Sequence, residues 1–275
     1  MLVLAVAVLC FAGFAPAEEG TPGKVPQPAK MKPADILQLY APYVVMVRDG
    51  EEQPPQADQQ PRRFMMRQNW KMGVMVNDGI FMYPIEVRMR AYMKTRMQPG
   101  DVQVETVAFA NGKKAVGDEV GMRIAFGLGF ASVEIPEGAG VVKLDTEKQV
   151  KPSVGDTVYL IGRRGEEWKF TPYFLPAVVN GELDYKGTKL YSLTLPQTQL
   201  QQEGMGALVV REDGEVLGVV SRVDGKRYSV VVVPLAAFKD DAKKALDAPE
   251  ELDQFDDLPD MRVPRVPGRR LGGGF

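Results

Sequence analysis

The sequence predicts an all-β body of the sandwich or barrel kind, built from about a dozen short strands. Runs rich in Val, Ile, Tyr and Phe recur along its middle, and each is short enough to be one strand. Six Asn-Gly or Asp-Gly pairs punctuate them, at 49–50, 78–79, 111–112, 180–181, 213–214 and 224–225. Such pairs tolerate the positive φ of a type I′ turn, whose twist matches the strands it joins. Strands do not alternate with long helices, which argues against a parallel α/β sheet.

The expected strands are 43–48, 70–77, 80–87, 102–110, 121–126, 131–135, 156–161, 173–180, 189–195, 206–211, 215–222 and 227–233. Two helices accompany them. Residues 34–41 form a short lead-in. Residues 234–247 place Pro234 at a first helical position and Leu235, Phe238, Ala242, Ala245 and Leu246 on one apolar face.

The flanks read differently. Residues 1–17 carry an apolar run ending in Ala15-Pro16-Ala17, a secretory signal with small residues at its cleavage site. No Lys or Arg precedes that run, so an uncleaved anchor is the alternative; either reading implies a secreted or periplasmic protein. Residues 18–33 form a Pro-, Gly- and Lys-rich linker, and 49–63 a polar Gln/Pro loop. Residues 248–275 are expected to be a disordered tail, acidic in its first half and arginine-rich in its second.

Composition excludes whole classes of chemistry. The 275 residues include 34 Lys and Arg against 36 Asp and Glu, one Cys and no His. A net charge of -2 supplies no general drive toward nucleic acid or anionic lipid. Without histidine, imidazole-dependent catalysis and the usual zinc sites are excluded. Cys10 lies inside the signal, so the mature chain would hold no disulfide and no reactive thiol. No cofactor and no metal is expected, and after signal cleavage no membrane contact.

The order of motifs in the body resembles the trypsin-like double-barrel serine proteases, specifically the bacterial HtrA/Deg type, from about Ile36 to Asp247. Asp78-Gly79-Ile80-Phe81-Met82-Tyr83-Pro84-Ile85-Glu86-Val87 is similar to the family's D-G-[YI]-[IV]-[LV]-T-N-x-H-V. Gly129-Phe130-Ala131-Ser132-Val133 is similar to D-L-A-[VL]-L, and Val154-Gly155-Asp156 to the step into the second barrel. Gly204-Met205-Gly206-Ala207-Leu208-Val209, followed by Asp213-Gly214, resembles N-S-G-G-P-L-V with its downstream D-G.

The resemblance implies two six-stranded antiparallel barrels, about 34–140 and 141–247, within one domain over 34–247. It also places the catalytic histidine on Glu86, the aspartate on Gly129 and the serine on Met205. A thioether has no proton to lose, a glycine orients nothing, and a carboxylate alone has no matched donor. The expectation is a pseudoprotease, not an enzyme, that keeps a cleft for a peptide or protein partner. A backbone N–H pocket near Glu203–Met205 could persist without an oxyanion to hold. The family's regulatory PDZ domain is not expected, since 28 residues follow Asp247.

Two other functions compete. A serine-type hydrolase with a non-standard base would draw on Ser132, Ser153, Ser192, Ser221 or Ser229, or on Thr198, each of which reads more simply as structural. A copper-binding module would draw on the methionines between 65 and 97, since thioethers favour Cu(I). Met89, Met93 and Met97 instead suggest one apolar helical face, beside a basic face of Arg88, Arg90, Lys94 and Arg96 that reads as solvated, with docking of an acidic partner as the alternative. Oligomeric state is not legible.

Overall fold

A computed structural model describes residues 29–49, 70–77, 79–85, 104–139, 144, 146–195, 204–223, 230–241 and 243. The first barrel comprises β1 (Val44–Asp49), β2 (Lys71–Asn77), β3 (Ile80–Pro84), β4 (Val104–Ala108), β5 (Lys114–Arg123) and β6 (Leu128–Val133). It closes in the order β1-β2-β3-β6-β5-β4. The second comprises β7 (Thr157–Arg163), β8 (Pro172–Tyr185), β9 (Thr188–Thr194), β10 (Leu208–Arg211), β11 (Val216–Arg222) and β12 (Val230–Pro234), closing as β10-β11-β12-β9-β8-β7. Every pairing is antiparallel. Val47 opposite Val107 closes the first barrel, and Leu208 opposite Ile161 closes the second.

The apolar runs are nearly continuous because both faces of the first strands are buried. Val44 and Met46 join the large core that spans both barrels, whereas Val45 and Val47 join a separate cluster of the first barrel. β2 and β3 divide in the same way. Met72, Val74, Ile80 and Met82 face the shared core, and Met75, Phe81 and Tyr83 face the other. The two-residue period of a strand therefore sorts one sequence run into two cores.

Turns fall at two of the expected pairs, but Asn111 and Asp213 are not at positive φ, so neither is the type I′ turn expected there. Asn111 Oδ1 accepts the Lys113 N–H at 3.0 Å, and Gly112 takes φ 78°. Asp213 Oδ1 accepts the Glu215 N–H at 3.0 Å, and Gly214 takes φ 82°. Asn180-Gly181 departs from expectation. It lies inside the 14-residue β8, where the register with β9 shifts between Val179 and Gly181. The turn falls instead at Lys186-Gly187, both at positive φ. Neither Asn180 nor Gly181 takes a positive φ, so the pair forms a bulge inside the strand and not a turn.

Other boundaries moved too. β5 begins at Lys114 and gives way to a 3-10 turn over Ile124–Phe126, where a strand over 121–126 was expected. The lead-in helix α1 is Pro33–Tyr40, with Pro33 in its first turn. Met31 N–H donates to the Glu212 carbonyl at 2.8 Å and Tyr40 Oη to the Gly214 carbonyl at 2.5 Å, tying this segment to the second barrel. At the other end, Pro234 closes β12 and caps a 3-10 turn over Leu235–Phe238, with helix continuing to Asp241. Leu235 and Phe238 are buried as expected; Ala242, Ala245 and Leu246 lie outside the described side chains. So do the signal, the linker up to residue 28, the polar loop from residue 50 and the tail.

Candidate functional site

A cleft of about 750 Å³ runs between the barrels. Met46, Met72 and Pro84 line it from the first barrel, and Arg163, Met205 and Arg222 from the second. Met205, expected from the motif order at the serine position, faces the cleft and packs partly against the shared core.

Gly206 explains how that turn is held. Its φ is 83°, and a Cβ there would lie 2.2 Å from the Met72 carbonyl oxygen and 2.9 Å from Pro84 Cδ. Only glycine permits so close an approach of the turn to β2 and the end of β3. Gly206 N–H donates to the Val220 carbonyl at 2.9 Å, and Ala207 N–H to the Gly204 carbonyl at 3.0 Å. These two donors are thus occupied; Glu203, part of the expected N–H pocket, lies outside the described residues.

Gly129 sits on β6 opposite Tyr83. A Cβ at this position would lie 2.9 Å from Ile85 Cγ2 and 3.1 Å from Tyr83 Cζ. Ile85 is itself a cleft residue, so Gly129 lies directly behind the cleft wall, with side chains filling the space an aspartate would need. Glu86 follows Ile85 in sequence and lies outside the described residues. The fold thus brings Met205 and the end of β3 to one cleft and Gly129 to its back.

The alternative residues that are described do not converge. Ser221 is buried and its Oγ donates to the Phe126 carbonyl at 2.5 Å; Ser192 Oγ is bonded to Asn180 Oδ1. A hydroxyl spent on a carbonyl or an amide oxygen has no base to deprotonate it. Ser132 occupies the β6 ladder, and Ser153 is exposed, its N–H donating to Asp156 Oδ2. Ser229 and Thr198 lie outside the described residues. Of the 65–97 methionines, Met72 and Met82 lie in one core and Met75 in the other, so these three form no common ligand set. Met65, Met66, Met89, Met93 and Met97 are not described, nor is the basic face of Arg88, Arg90, Lys94 and Arg96.

Sequence reasoning missed the residues that set the character of the cleft. Arg163 ends β7 and is buried, with Nε bonded to the Val44 carbonyl at 2.7 Å, Nη1 to that of Phe170 at 2.9 Å, and Nη2 to that of Ala41 at 2.7 Å. Burial pushes its pKa down to about 10, so it stays cationic at neutral pH, and its side-chain partners among the described residues are neutral carbonyls. Its backbone N–H also reaches Met72 Sδ at 3.3 Å. Arg164 lies over the Trp168 ring at 4.8 Å, and Trp168 is 56% exposed. The available signal was an Arg-Arg pair closing the apolar run Tyr159-Leu160-Ile161-Gly162, with a tryptophan four residues beyond it.

No protein-family profile matches the chain, and no curated protein matches it by sequence. Solved structures do match it by shape. The crystal structure of Deg5 superposes with a TM-score of 0.53 at 14% identity, over 78% of this chain and 94% of that one. A serine endoprotease from Yersinia pestis gives 0.53 at 15%, over 80% and 68%. The HtrA-type protease AlgW with decapeptide gives 0.53 at 11%, over 80% and 69%. With two closed six-stranded barrels and these likenesses together, the chain has the trypsin-like double-barrel fold seen in HtrA/Deg-type proteases.

Proposed function

We propose that this chain is a secreted or periplasmic module that holds an extended peptide or protein segment between its barrels and does not cleave it. The observation that carries this reading is Met205, a thioether lining the cleft at the position aligned with the serine. A chain without histidine has no imidazole to accept a proton, and a thioether has none to give. Gly129, hemmed in by Tyr83 and Ile85, supports the same reading, because nothing there can orient a base. The cleft remains, with aromatic and charged walls suited to an extended ligand. Secretion rests on the N-terminal apolar segment alone.

The test pairs chemistry with binding. The full chain is incubated with unfolded casein and with a fluorophosphonate probe, and separately titrated with fluorescent extended peptides. Intact casein, an unlabelled protein and saturable peptide binding are expected. Casein fragments, or a covalent label on any side chain, would show a working hydrolase instead.

A further inference from the structure

The charge of the cleft is one-sided. Among the described residues lining it, Lys71, Arg163, Arg164 and Arg222 face a single carboxylate, Glu167. Arg222 closes β11, and its Nε is buried without a hydrogen-bond acceptor among the described residues. Arg163 is surrounded by carbonyl oxygens, which carry no net charge to offset its own. A buried guanidinium without a carboxylate is costly, and a low-dielectric cleft lined by one sign focuses its field on whatever enters. Near the rim, Arg164 and Trp168 stack, placing a cation beside an exposed ring.

We propose that the cleft is selective for acidic peptide segments, with an Asp or Glu side chain of the ligand accepting hydrogen bonds from Arg222 while Arg164 attracts it at the mouth. This rests on the peptide-holding reading above and adds the class of segment held. Arg222 is the key residue because it is part-exposed on the cleft wall with no carboxylate partner among the described residues, and guanidinium–carboxylate bonds are among the stronger protein hydrogen bonds. Arg163 contributes field rather than contact, since its Nε and both terminal nitrogens already serve backbone carbonyls. A chain of net charge -2 that gathers cations in its cleft concentrates attraction there rather than spreading it over its surface.

The test uses the full chain and two extended peptides of equal length with amidated C-termini. One carries Glu and Asp; its counterpart carries Gln and Asn at the same positions. The acidic peptide is expected to bind at least about tenfold tighter, with affinity falling as salt rises, since the contacts are charge-assisted. Arg222→Gln is expected to remove most of that preference, lowering the acidic peptide's affinity far more than the neutral peptide's. Should that variant fold poorly, Arg164→Gln, at an exposed position, is expected to lower the preference and the salt dependence in part. Equal binding of the two peptides would overturn the inference while leaving the peptide-holding reading intact. Failure of both peptides to bind would overturn that reading as well. Equal competition by a single-stranded oligonucleotide would show a general anion site and also overturn selectivity for acidic peptides.

Discussion

Arg163 at the end of β7 donates through Nη2 to the carbonyl of Ala41, 122 residues earlier in the chain, at 2.7 Å. The same guanidinium holds the carbonyls of Val44 and Phe170, so one side chain joins the entry of β1, the wall of the second barrel and the segment before β8. Arg163→Ala removes the donor from all three carbonyls. The expected loss of stability is about 3–5 kcal/mol, as for breaking a buried hydrogen-bond network. Urea unfolding measures it, and a loss below about 1 kcal/mol would mean that water replaces the guanidinium.

Rebuilding the serine alone is expected to restore nothing. Met205→Ser supplies a hydroxyl, yet no imidazole exists in the chain to take its proton. Fluorophosphonate labelling followed by intact-mass spectrometry should show no adduct. Part of the Met205 side chain packs on the core, so about 1 kcal/mol of stability should go with it.

Restoring the aspartate should be worse. Gly129→Asp drives a Cβ against Ile85 and Tyr83 and puts a carboxylate in a buried strand. A cost of about 3 kcal/mol or more is expected from overpacking and unpaired charge together. Thermal unfolding of the variant is the readout; an unchanged midpoint would show that the strand relaxes to make room.

Much of this was written in the sequence, and what was missed has physical causes. The strands followed from the short apolar runs and the turn pairs, and the two-barrel arrangement from the resemblance in motif order. Asn180-Gly181 misled because the pair permits positive φ without requiring it, and β8 runs through it with a bulge. Met205 was legible as a cleft residue only through the order of motifs. Arg163 and Arg222 were not, because a strand-ending arginine usually faces water, and only barrel closure puts these two into one cleft.

Ser221 tests the hydrolase alternative. Its buried hydroxyl donates to the Phe126 carbonyl across the junction between the barrels. Ser221→Ala should cost about 1–2 kcal/mol through the orphaned carbonyl and leave peptide binding unchanged. Any hydrolytic activity lost with this hydroxyl would place Ser221 in a working site.

The pH dependence of one surface pair has a definite sign. Lys114 Nζ at 2.8 Å, with help from Trp70 Nε1 at 3.3 Å, holds the Glu166 carboxyl below its ordinary 4.5 against the opposing effect of burial. A carboxyl depressed in the folded state contributes stability above its unfolded pKa and loses it as pH falls through the folded value. The pair is solvent-exposed, so the contribution is no more than about 0.5 kcal/mol. Wild type and Glu166→Gln should differ by that amount at neutral pH and converge in acid. A difference that grows in acid would reverse the sign.

Holding without cutting is tested most directly by titrating the full chain calorimetrically with an amidated acidic peptide and weighing the peptide afterwards. Saturable binding with every recovered peptide at its starting mass is expected. A shortened peptide, or an acyl adduct on the protein, would contradict it.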